Sequence, residues 1–488
     1  MANSSEPSLD RPRYHGLDAL RAWAMFLGIV LHAALPYMTS SDRANWGVVD
    51  PSQDATLTTF VLWVHTYRME LFFMISGFFS CMVLRYRDNR YFVRQRIKKL
   101  LVPFLCWWPL VMVSIEAALV YHEWAHYGLG DGDGYWVTLA GTLTSADYWS
   151  RYEPTPNGGN YGYAHLWFVH YLMLFVITNA VCVGVSWPRS LQSLWERLVR
   201  ASDWVLGHPV RIILPAIVMI PLVAEPKWVT FYEAPSSIRP VFRYYTYYGC
   251  AYLAGYLLYS NLHHLETLKR DWMWYAVISL VAFPGIMIRD CIHPQFIMTT
   301  QAGARHFFAH GTVTPATEFG AADQAFVFPP VGAFADSPVP ISLAESLLLI
   351  PPFSVSLVML STSLALFGIA LRYFDRSSER VRYWSDSAYF LYVLHLPLTM
   401  LLPSVLIQLP WHGLVKFLVT TVATTGVSLV LYEYCVRYTF IGTQMNGPRR
   451  RPEAEAVVSG QRVLDEHDAA TAVGKQPDSS GNSPQQSS

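Results

Sequence analysis

Charge is the first thing this sequence is short of. Lys, Arg, Asp and Glu make up 14% of its 488 residues, where a soluble chain carries about 25%. The 35 basic and 35 acidic side chains cancel, so no basic field exists to hold a nucleic acid. Cysteine chemistry is thin as well. The six cysteines contain no CxxC pair, and five of them lie in or beside apolar stretches. They read as small hydrophobes, not as a zinc site or a disulfide framework. No Gly-x-Ser-x-Gly elbow, no P-loop and no HExxH occurs, so serine hydrolase, NTPase and zinc peptidase signatures are missing. Nor does the start of the chain read as a cleavable signal. Residues 1–16 are polar with mixed charge, and no small-residue cleavage site follows the first apolar run.

What is abundant is apolar and aromatic surface: 52% hydrophobic and 15% aromatic residues. Long apolar runs with few charges point to the bilayer as solvent. Hydropathy predicts an all-α polytopic membrane protein of about ten spans. They are 17–38, 58–84, 100–121, 164–187, 208–225, 242–260, 272–289, 341–371, 386–407 and 412–436. Basic residues cluster in the connections 85–99, 189–200 and 372–382 and in the tail at 449–451. All of these fall on one side of a ten-span chain. The positive-inside rule then places both termini in the cytoplasm. The long connections 122–163 and 290–340 fall on the other side, Gly- and Pro-rich and poor in Lys and Arg. They are either a lid or flexible connectors. Three segments follow: a polar N-terminal stretch 1–13, a membrane domain 14–445, and a Ser- and Gln-rich tail 446–488 expected to be disordered.

An ionisable group inside a membrane costs about 2.5–3.5 kcal/mol on insertion scales, so each one is a functional candidate. The first span holds Asp18, Arg21 and His32. Eleven residues separate Arg21 from His32, about 1100° of helix, so the two share a face roughly 16 Å apart. The second span holds His65, Arg68 and Glu70. His65 and Arg68 share a face, while Glu70 lies about 200° from Arg68. An arginine at mid-bilayer must meet an acid, a water-filled cavity or a bound anion; a structural ion-pair network is the plainer reading. His165 beside Trp167 opens the fourth span, and His395 lies in the ninth, about a third of the way in from the cytoplasm. An interface anchor and a hydrogen-bonded packing histidine are their plain alternatives. Glu116 and Glu433 are expected to be buried counter-charges. Together the set suits proton removal from a hydroxyl, with positive charge to hold a phosphate or an oxyanion. No metal is expected.

The order of these motifs resembles the membrane acyltransferase 3 family. The resemblance rests on Arg21-x10-His32, the run Arg68-x-Glu70-Leu-Phe-Phe-Met-Ile-Ser-Gly-Phe78, His165-Leu-Trp-Phe168, Tyr389-x-x-Tyr392-x-x-His395-x-Pro397, and the basic Arg94-x-Arg96-x-x-x-Leu100-x-x-Pro103. Leu17-Asp18-Ala19-Leu20-Arg21-Ala22-Trp23, His65-Thr66-Tyr67-Arg68-Met69 and Leu431-Tyr432-Glu433 are similar to the glucans biosynthesis branch, which succinylates periplasmic glucans. The resemblance covers about residues 14–445; the loop 290–340 and the polar tail depart from it. It implies an O-acyltransferase in the inner membrane, moving an acyl group from cytoplasmic acyl-CoA to hydroxyls of an extracytoplasmic glycan, with no bound cofactor. Arg21 then clamps a donor phosphate, His32 is the general base or a transient acyl acceptor, and Arg68 and Glu70 shape the deep site. His65, His165, Trp167, His395 and Glu433 are the implied substrate-binding set. A multi-pass transporter and a non-catalytic glycan-export subunit are the rival readings, since buried Arg, Glu and His also mark solute pathways.

Overall fold

The structure is a computed structural model that describes residues 12–39, 46–130, 132–146, 162–208, 211–223, 238–286, 350–440 and 442–443. Among these every regular element is helical. The chain divides into two units, Met1–Leu429 and Val430–Ser488. The long helices of the first unit are α1 (His15–Ala34), α2 (Ala55–Tyr86), α3 (Asn89–Arg96), α4 (Val102–Tyr127), α5 (Tyr135–Thr144) and α6 (Trp167–Gly184). They continue with α7 (Arg189–Gly207), α8 (Ile213–Val223), α9 (Phe242–Ser260), α10 (Leu265–Ala282), α11 (Ile350–Tyr373) and α12 (Glu379–Leu406); α13 (Gly413–Leu431) begins in this unit and its last two residues belong to the second. The loop 290–340 and the tail 446–488 lie outside the described residues.

Seven helical stretches are long and apolar enough to cross a membrane: 15–37, 55–86, 89–127, 164–184, 350–373, 379–406 and 413–436. The other three expected spans are helical where they are described, and their described stretches do not reach that length and apolarity together. Helix α8 has 11 described residues. Helix α9 is diluted by tyrosines, and α10 starts at Leu265, ahead of the expected 272–289, so that Glu266, Lys269, Arg270 and Asp271 fall within its 18 residues. The basic connection 85–99 is not a loop. Asp88 caps α3 by accepting from the Tyr91 amide at 3.0 Å, and a π-helical turn, Ile97–Leu101, runs it into α4.

Helix ends that the charge pattern assigns to one side meet one another. The Gly16 amide donates to Asp375 at 3.0 Å, Asn89 to the Ala180 carbonyl at 2.8 Å, and Arg372 to the Lys269 carbonyl at 3.1 Å. At the opposite ends, His126 bonds the Ser404 carbonyl at 2.9 Å and Arg243 the Leu222 carbonyl at 2.8 Å. Close packing depends on small residues where bilayer gives no hydrophobic drive between helices. Helices α2 and α9 touch backbone to backbone. A Cβ on Gly77 would overlap the Tyr252 carbonyl, and one on Gly255 would overlap that of Met74.

Asp54 caps α2 by accepting from the Thr56 amide at 2.7 Å. The hydrogen bonds from Thr56 hold its carboxyl below the usual carboxylate range. The preceding loop is pinned by a buried ion pair. Lys416 Nζ lies 2.8 and 3.0 Å from the two Asp50 oxygens, and both side chains are almost fully enclosed. Lys416 also donates to the Ile407 carbonyl at 3.2 Å. Breaking a buried pair strands its partner charge, at about 3–5 kcal/mol. Lys416→Met should therefore sharply lower the unfolding temperature in detergent. Lys416→Met with Asp50→Asn should recover most of the loss, since no buried charge is then left. Equal losses in single and double variants would sink this account.

In the second unit, Glu433 receives two bonds from Arg437 Nη1, at 2.8 and 3.0 Å, and one from the Tyr438 hydroxyl at 3.1 Å. It acts as a counter-charge, as expected, but is only part-buried, with 30% of its side chain exposed.

Candidate active site

The site is built where α1, α2, α12 and the start of α6 converge. Histidine rings from three of these elements meet. His395 Nε2 lies 3.0 Å from His32 Nδ1, with the rings stacked at 4.9 Å between centroids. The His165 ring meets His395 edge-on at 4.9 Å. The expected shallow depth of His395 is corrected here. Helix α12 begins at Glu379 rather than at 386. Seven further residues add about 10 Å and carry His395 level with His32. Charged residues in the first turns hid that extension from a hydropathy reading.

The hydrogen bonds fix the protons. His395 Nδ1 lies 2.6 Å from the Tyr392 carbonyl oxygen. A carbonyl only accepts, so a neutral His395 carries its proton on Nδ1 and a lone pair on Nε2. His32 must then donate from Nδ1, which leaves the lone pair of a neutral His32 on Nε2. The outer nitrogen of one histidine is thereby set as a base by a second histidine and one backbone oxygen. The same oxygen accepts from His165 Nε2 at 2.9 Å, and the Tyr392 hydroxyl returns a bond to the His165 carbonyl at 2.5 Å. His165 Nδ1 is buried with no hydrogen-bond partner among the described residues. Ala164, immediately before it, adopts a left-handed φ of 43°. A non-glycine residue held there costs about 1–3 kcal/mol, so the reciprocal Tyr392 bonds hold a strained turn that aims His165 inward.

Arg68 completes the group. Its side chain is enclosed, 9% exposed, and its Nε has no hydrogen-bond partner among the described residues. A Cβ on Gly28 would overlap Arg68 Nη1. Gly28 lies one turn before His32, about 6 Å along the axis, so the glycine notch seats the guanidinium beside the histidines. No carboxylate among the described residues lies within 4.0 Å of it. His65, one turn earlier on α2, is near enough to feel its charge.

The other candidates are placed elsewhere. Glu70 is buried but turns toward α9, against the Tyr247 hydroxyl. Trp167 meets Tyr171 of its own helix edge-on at 6.1 Å and lies tilted against Tyr248 of α9 at 5.2 Å, so it packs α6 onto α9. Arg21 stays at the opposite end of α1, 42% exposed, paired with Asp18 at 3.4 Å and donating to Ser385 at 3.1 Å. Glu116 is buried, and Glu433 belongs to the second unit.

Three contributors were invisible to spacing alone. The Tyr392 carbonyl carries no side-chain signal. Gly28 matters only because an arginine from another helix fills its notch. Trp46, whose ring lies 5.3 Å from that of His32, arrives on the loop that Asp50 and Lys416 pin, a pairing of residues 366 apart.

Comparison with known proteins places the chain. The model of an acyltransferase domain family matches residues 14–433. The chain is similar to "Glucans biosynthesis protein C" of Salmonella paratyphi B, 24% identical over 454 residues that cover 92% of this chain and 99% of the relative. The protein of the same name from Salmonella schwarzengrund is 24% identical over 457 residues. No solved structure matches. The match over nearly the whole membrane domain identifies the chain as a member of the acyltransferase 3 family, a multi-pass membrane protein and an acyl-transferring enzyme.

Proposed function

We propose that the chain transfers an acyl group from cytoplasmic acyl-CoA to a hydroxyl of an extracytoplasmic glycan, with a glucan as the acceptor class and the inner membrane as its place. The acceptor reading is supported by the name of the Salmonella relatives. The observation that carries the chemistry is the relay from His32 through His395 to the Tyr392 carbonyl. His32 Nε2 takes the proton of the acceptor hydroxyl as its oxygen attacks the thioester carbonyl. The tetrahedral oxyanion develops beside Arg68. The C–S bond breaks, the thiolate sulfur takes the proton from His32, and an ester and free CoA leave. Through the cycle His32 Nδ1 keeps donating to His395, so no buried proton is stranded.

Arg21 lies at the end of α1 that carries the basic connections, and an arginine there suits a CoA phosphate. An extended pantetheine arm spans the roughly 16 Å to His32. Both termini are cytoplasmic in this reading. Purified protein given an acyl-CoA and a glucan should release free CoA in proportion to acylated glucan, and neither substrate alone should suffice. Glucan movement into sealed vesicles, with no CoA released from any donor, would assign the chain to transport instead.

A further inference from the structure

Outside the relay, three side chains from two elements converge on one point. Helix α7 offers Asp203 near its C-terminal end, and the turn Leu262–His264 offers two neighbouring histidines. Nε2 of His263 lies 2.8 Å, and Nε2 of His264 2.9 Å, from the same oxygen, Asp203 Oδ1. All three ligand-type atoms lie within 4.8 Å of one another. A simple hydrogen-bond clamp needs one imidazole. Here two adjacent rings, with centroids 4.1 Å apart and planes at 42°, bring both Nε2 atoms to one carboxylate oxygen.

The position is prepared on one side and open on the other. The His264 side chain is 13% exposed, and Asn261 donates to Ser202 Oγ at 2.9 Å beside it, fixing the same two elements. His263 and Asp203 are 66% and 48% exposed, so a cation and its waters have access. Bonds of about 2.0–2.2 Å from a tetrahedral cation hold its ligands about 3.3–3.5 Å apart. The two histidine–carboxylate separations reach that spacing by opening about half an ångström, and all three atoms already lie within 4.8 Å of one another. Two imidazoles and one carboxylate suit a transition metal, while calcium and magnesium prefer oxygen ligands.

We propose that Asp203, His263 and His264 form a binding site for a divalent transition-metal cation of the zinc type. Bound there with water in its remaining position, the cation ties α7 to the turn between α9 and α10. Asp203 and the pair His263-His264 stand 60 residues apart, a spacing no short metal motif covers.

The test uses the full-length protein in detergent, stripped with chelator and then titrated with Zn²⁺ against a chromogenic competitor. One equivalent should bind, and Ca²⁺ should not displace it. His263→Ala is the informative variant because that side chain is exposed and its loss should leave the metal-free unfolding temperature unchanged. It should weaken Zn²⁺ binding at least about tenfold, the lower end of what lost ligand support costs. Zn²⁺ should also slow amide exchange over residues 200–207 in the wild type and not in the variant. Equal Zn²⁺ affinities for the two proteins, or unchanged exchange on adding Zn²⁺, would show a hydrogen-bond clamp that binds no metal.

Discussion

Replacing His32 with alanine is expected to lower acyl transfer by about 10²–10⁴-fold, the range for losing a general base. The loss should fall on kcat more than on KM for acyl-CoA, because the proposed donor contact at Arg21 lies at the other end of α1. His395 gives a finer test. It touches His32 Nδ1 and not the nitrogen that takes the proton. His395→Ala removes the acceptor that holds His32 in its working tautomer, so kcat should fall while KM stays close to wild type. His395→Gln restores an acceptor oxygen and should recover part of that loss if the amide turns toward His32. Transfer rates against acyl-CoA concentration, at matched membrane levels, decide between these outcomes. If His32→Ala keeps more than about a tenth of wild-type turnover, His32 is not the base. His165, whose Nδ1 is buried and unpartnered among the described residues, would then be the next candidate.

Periodicity and composition carried the reading a long way. The face shared by Arg21 and His32 follows from helix geometry, and the cost of a charge in a bilayer singled out Arg68. Hydropathy also found the helices, and seven of its ten expected spans are long and apolar enough to cross a membrane over the described residues alone. What it could not show was which helices touch. His32 and His395 are separated by 363 residues and meet at 3.0 Å. The Arg68 notch needs a glycine from α1 and a guanidinium from α2. Trp167 is a different case. The resemblance implies a substrate-binding role for it, and its ring packs against Tyr248 of α9. Adjacent residues on a helix point in different directions, so neighbourhood in sequence is a weak guide to neighbourhood in a site.

Arg68 separates catalysis from stability. An arginine kept for structure sits in an ion pair, and removing it strands a buried carboxylate at about 3–5 kcal/mol. Arg68 has no carboxylate within 4.0 Å among the described residues, and its Nε is unsatisfied. The folded protein thus carries a desolvated cation that Glu70 and the surrounding tyrosines offset only from beyond ion-pair distance. Arg68→Met keeps the apolar volume and removes that charge, so the unfolding temperature should stay level or rise. Acyl transfer should move the other way. If the guanidinium stabilises the oxyanion, kcat should fall by about 10²–10³-fold, as for the loss of an oxyanion-hole donor. Arg68→Lys should rescue only partly, because a point charge lacks the planar fork that fits the Gly28 notch. Arg21→Ala is the contrast: it should raise KM for the donor and leave kcat nearer to wild type. The decisive measurement pairs thermal unfolding with steady-state kinetics on the same detergent-solubilised preparations. An Arg68→Met protein that is markedly destabilised yet turns over normally would make Arg68 a structural residue and leave the oxyanion without a cation from this helix.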